Sequence, residues 1–73
     1  MGDRGVKAIS GKQLCRLLES RDWVLKRING GHHIDAKAGH PARISIPVHG
    51  NTPLKLGLQR ALMNLANIGE SDL

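Results

Sequence analysis

The chain has 73 residues, 11 Lys and Arg against 6 Asp and Glu, and a formal charge of +5, which leaves room for one domain with one thin core and favours a polyanion or an acidic protein as partner. Trp23 stands alone, with no Phe or Tyr, which argues against a single-strand reader that stacks successive bases on aromatic side chains. Cys15 is also alone, so neither a disulfide framework nor a thiolate metal cluster is expected, and a reducing cytoplasm fits.

Residues 1–9 are polar and contain glycine, and read as a flexible leader without the apolar core of a signal peptide. No apolar run approaches the ~18 residues of a membrane span, so a soluble protein that is not exported is expected. Ser10-Gly11-Lys12-Gln13 has capping-box spacing, because the Ser10 hydroxyl can accept from a free N–H of the first turn while Gln13 reaches back. A helix should start at Gly11. Leu14, Leu17 and Leu18, joined by Cys15, recur at helical spacing and carry it to about Arg21.

Trp23 to Ile28 reads as a strand, stopped by Asn29-Gly30-Gly31, which suits the positive φ of a hairpin turn. A second strand runs from His32 to Lys37, with Ile34 and Ala36 on one face and His33, Asp35 and Lys37 on a polar face. Ala38-Gly39-His40-Pro41 breaks the chain, and His40 reads as plain loop surface. Ile44, Ile46 and Val48 then alternate with Arg43, Ser45 and Pro47, and Pro47 lacks the N–H of a central strand. After Thr52-Pro53, an N-cap followed by proline, a second helix carries Leu54, Leu58, Ala61, Leu62 and Leu65 on one stripe. Gly57 argues that its regular part starts only there, and Asn67 or a left-handed Gly69 ends it. Residues 70–73 read as a polar tail, leaving a single domain over 10–69. The order α-β-β-β-α predicts an α+β fold, with both helices on one face of an antiparallel meander and the other face left to solvent or a partner.

The chemistry-bearing residues are the imidazoles beside turns: Gly30-Gly31-His32-His33 and, one strand later, Ile46-Pro47-Val48-His49-Gly50-Asn51. Together with Ser10-Gly11-Lys12, a strand reaching Arg27, and Leu54-Lys55 with Gly57-Leu58-Gln59-Arg60, these segments resemble HicA-type toxins. The resemblance spans about residues 10–69. It implies a double-stranded-RNA-binding-like fold that acts as a ribosome-independent mRNA interferase, neutralised by a HicB-type antitoxin, in a bacterial or archaeal cytoplasm. RNA and that antitoxin are then the expected partners, with no membrane and no DNA by itself. Two departures stand out: Gly31 occupies the position where the family usually has Ser, and Lys37-Ala38-Gly39-His40-Pro41 replaces a more polar turn.

Cutting RNA needs a base for the ribose 2′-hydroxyl, for which imidazole is suited near neutral pH, and cations to steady the phosphate. No cofactor is called for. The family motif places its catalytic histidine directly after the Gly-Ser pair, hence at His32, whereas strand alternation sets His33 on the polar face; both stand as candidates. Lys26, Arg27, Lys37 and Arg43 flank the sheet as candidate phosphate contacts, and His49 is either a second acid or base or a turn former with Gly50. A zinc site is not expected, since neighbouring His32 and His33 point to opposite sides of a strand. A non-enzymatic RNA-binding module and a protein-interaction module that has lost RNA remain the alternatives.

Overall fold

The computed structural model describes residues 7–73, and the first six residues of the expected leader lie outside the described residues. Helix α1 (Gly11–Glu19) starts as its capping box dictates, with the Gln13 N–H donating to Ser10 Oγ at 3.1 Å and the Ser10 N–H donating to Gln13 Oε1 at 2.9 Å. It ends one turn before the strand, where Asp22 takes a left-handed φ of 71° and the Trp23 N–H donates to the Leu18 carbonyl. Strands β1 (Val24–Asn29), β2 (His32–Ala36) and β3 (Ile44–Pro47) form an antiparallel sheet in the order β1-β2-β3. Helix α2 (Leu56–Leu65) closes the α-β-β-β-α order of an α+β fold.

Both helices pack on the same side of the sheet, against β3. Leu14 and Leu18 of α1 and Leu62 and Met63 of α2 enclose Ile44 and Ile46, all of them buried. Burial of this one-sided core is the main driving force, at about 1.5–3 kcal/mol for each large aliphatic side chain. β1 is one edge of the sheet and meets α1, yet every one of its residues is exposed, including Val24 and Ile28.

Three expectations are corrected by this packing. The alternation of β2 is real but its faces are exchanged: Asp35 pairs with Ile44 and His33 with Ile46, so both face the helices. Ile34 and Ala36 therefore lie on the uncovered side, because register with the two core isoleucines outweighs the polarity of Asp35. The second helix is capped at Lys55 rather than Thr52, and Pro53 instead forms a bridge with Ser10. The start at Leu56 lies one residue from the Gly57 at which the regular part was expected, but the buried stripe is turned from the leucine pattern. Gln59, Leu62, Met63 and Ala66 face inward, while Leu58, Ala61 and Leu65 are exposed.

Gln59 is inside because the segment before α1 needs it: its Oε1 accepts from the Ile9 N–H at 3.1 Å and its Nε2 donates to the Lys7 carbonyl at 2.7 Å. Lys7 to Ile9, expected to belong to the leader, is thus tied to the fold, with Ile9 in the core. Asn67, not Gly69, supplies the left-handed helix end, with φ 58° and an Ile68 N–H to Met63 carbonyl bond. The expected tail forms a short 3-10 turn over Glu70–Asp72, held by an ion pair of 2.6 Å from Arg21 to Asp72. No helix among the described residues is long and apolar enough to cross a membrane.

Candidate functional site

Asn29 pairs with His32, so Gly30 and Gly31 make a two-residue hairpin loop, and Gly30 takes the positive φ of 64° that such a loop requires. His32 is the first residue after the loop and is exposed. Its partner across the sheet on the other side is Pro47. Register assigns Asn29, Arg27, Ile34, Ser45 and Pro47 to the same, uncovered face of the sheet as His32. A basic side chain and an accessible imidazole therefore share a face that the core does not use.

His33 points the other way. It is half-buried, with Nδ1 3.7 Å from the Cys15 sulfur on α1. Two residues on, Asp35 is 1% exposed, and neither carboxylate oxygen has a hydrogen-bond partner. Burial pushes its pKa above the usual carboxylate value, the charge of His33 pulls against that, and Glu19 adds to the rise. Burial likewise pushes the Cys15 thiol up to about 11, helped by Asp35 and Glu19, so it stays protonated at neutral pH. The sequence sets His33 and Asp35 on a polar face, and the structure corrects this by placing both under α1.

The four candidate phosphate contacts do not form one cluster. Arg27 shares the His32 face, whereas Lys26 is the extra residue of a bulge between Leu25 and Arg27. Lys26 and Lys37 line a shallow hollow of about 340 Å³ with Val24, Ala36 and Ala38. At about 3.3 Å per residue, Lys37 stands roughly 16 Å along the strand from His32. Arg43 precedes Ile44, the partner of Asp35, and so lies at that far end too.

His49 comes to the turn instead. The Val48 N–H donates to the Gly31 carbonyl at 2.7 Å, and the exposed His49 ring lies against Gly31. His49 also lines a cleft of about 350 Å³ with Pro47, Thr52, Pro53, Leu54, Lys55 and Leu58. Lys55 belongs to a segment that carries the family resemblance, but nothing in the sequence marked it as a candidate contact. His40, expected to be plain surface, is half-buried against Trp23 with ring centroids 4.8 Å apart. Its Nε2 donates to the Leu65 carbonyl at 3.2 Å while Nδ1 accepts from the Ala42 N–H, so it fastens the loop to α2. Among the described residues, no three His, Cys, Asp or Glu side chains gather as a metal site would require.

The start of α1 completes the corner. A Cβ on Gly11 would run into the carbonyl of Pro47, the residue paired with His32, so the helix can meet the strand only through a glycine. A family model described as the HicA toxin of bacterial toxin-antitoxin systems matches residues 11–68, from the first residue of α1 to just beyond α2. No curated protein gives a significant match.

Proposed function

This chain belongs to the HicA toxin family of bacterial toxin-antitoxin systems, and on that premise we propose that it is an endoribonuclease acting on mRNA with His32 as general base. The observation that carries the reading is the placement of an exposed imidazole at the mouth of a glycine hairpin, on the uncovered sheet face that also bears Arg27. RNA lying on that face meets a base and a cation together. His32 takes the proton of a ribose 2′-hydroxyl, the 2′-oxygen attacks the adjoining phosphorus, and the bond to the 5′-oxygen breaks. Arg27 offsets the charge that builds on the phosphate. The products are a 2′,3′-cyclic phosphate and a free 5′-hydroxyl.

His33 is the rival base, and its half-buried position against Cys15 favours His32. Incubating the protein with RNA in excess chelator and mapping the ends tests the reading. His32→Ala is expected to slow cleavage by about 10²–10⁴-fold, the usual contribution of a positioned base, with His33→Ala much less affected. Undiminished cleavage by His32→Ala would remove it from the mechanism, and RNA binding without any cleavage by the unmodified protein would leave a non-enzymatic RNA-binding module. The antitoxin is proposed to be a HicB-type protein that lays an acidic surface over the same face.

A further inference from the structure

We propose that His49 is the general acid of the same reaction, protonating the departing 5′-oxygen, and that Gly31 is the residue that makes room for it. The inference rests on the ribonuclease reading above and adds a second catalytic group to it. His49 lies outside the sheet ladder, yet its ring is packed on the hairpin: a Cβ built on Gly31 would come within 2.7 Å of Cε1 and 3.3 Å of Nδ1 of that ring. Gly31 does not need to be glycine for its backbone, since it lacks the positive φ of Gly30. What the missing side chain supplies is space, and the occupant of that space is an imidazole. Gly31 directly precedes His32, so the two histidines flank one turn, and the Val48 N–H bond to the Gly31 carbonyl ties the segment that carries His49 to it.

The roles of the two rings follow from what each borders. His32 sits on the open sheet face beside Arg27, where a phosphate would rest. His49 stands between the hairpin and the cleft formed with Pro47, Thr52, Lys55 and Leu58. A nucleoside leaving the phosphate toward that cleft passes the His49 ring, and Lys55 provides a cation for the next phosphate. Protons balance across the step: the 2′-hydroxyl gives its proton to neutral His32, and the 5′-oxygen takes one from protonated His49 as the P–O5′ bond breaks. Each ring ends in the state from which the other started, as a cyclising ribonuclease with two histidines requires.

The test uses the full chain and an oligoribonucleotide containing a mapped cleavage site, made with either oxygen or sulfur at the bridging 5′ position. A thiolate leaves without protonation, so loss of the acid should matter only for the oxygen substrate. His49→Ala is expected to cut the oxygen substrate about 10²-fold or more slowly, to cut the sulfur substrate at nearly the unmodified rate, and to lose the alkaline limb of the pH profile. His32→Ala should be slow on both. Gly31→Ala, which displaces the ring while leaving both histidines in place, should show the same selective loss in milder form. Equal slowing of His49→Ala on both substrates, or no slowing, overturns the assignment while leaving the ribonuclease reading intact. No cleavage of either substrate by the folded, unmodified protein overturns both. Circular dichroism of each variant separates these outcomes from a failure to fold.

Discussion

Two residues show how little slack the packing leaves. Gly11 lets α1 touch the Pro47 carbonyl, so Gly11→Ala has to push a helix off a strand rather than move a flexible side chain. A loss of about 1–3 kcal/mol is expected, as for overpacking elsewhere, and at roughly 4–8 °C per kcal/mol for a domain of this size it is visible in a thermal melt. An unchanged melting temperature would show that the helix start yields freely. Asp35 is the opposite case, a group the fold holds at a disadvantage. Its pKa is raised on folding, so the native state binds the proton more tightly than the unfolded chain does. Its contribution is therefore most favourable below the ordinary carboxylate range and is lost as the pH rises through the folded value, with His33, Glu19 and Cys15 as the titratable neighbours. Asp35→Asn should be more favourable relative to the parent at pH 7 than at pH 3.5. Denaturant melts at the two pH values check this, and an equal difference at both would contradict a raised carboxyl. Asp72 works the other way: the Gly69 N–H and Arg21 lower its pKa, so its contribution is present above the usual carboxylate range and fades as acid protonates it.

At the scale of elements, what could be read in advance was what local chemistry decides. Ser10 with Gln13 set the start of α1, Asn29-Gly30-Gly31 set the hairpin, and Pro47 ended β3 at an edge. What could not be read were the features decided by partners distant along the chain. The orientation of α2 depends on Gln59, whose bonds run to Lys7 and Ile9, some 50 residues away. No periodicity of leucines reports such a tie, and a buried glutamine contradicts the stripe that periodicity selects. The same holds for the candidate site, where His32 and the turn were visible but the approach of His49 depended on the register of β2 against β3. Gln59→Leu keeps the volume and deletes the bonds, leaving the Ile9 N–H buried without its acceptor. It should cost about 1–3 kcal/mol and raise hydrogen exchange at Ile9 more than in the sheet. Exchange at Ile9 equal to the parent's would show that the segment is held by other means.

For the molecule as a whole, a core on one side of a three-stranded sheet and a charge of +5 describe a fold with little stability of its own and a strong attraction for an acidic cover. A partner that binds only the folded form raises its stability by mass action, by about 2.7 kcal/mol at a hundredfold excess over its Kd. Adding the antitoxin proposed above should therefore raise the melting temperature, by an amount that grows with its concentration and shrinks with added salt. A melting temperature indifferent to the partner would argue that the two do not meet on this face.

The division of the sheet into a helix-covered side and a bare side has one more consequence. His32 and Arg27 stand on the bare side, and none of the side chains that hold the core together does. A partner lying there, as proposed above for the antitoxin, would touch none of the core side chains, so its arrival and departure would leave the packing beneath the sheet unchanged.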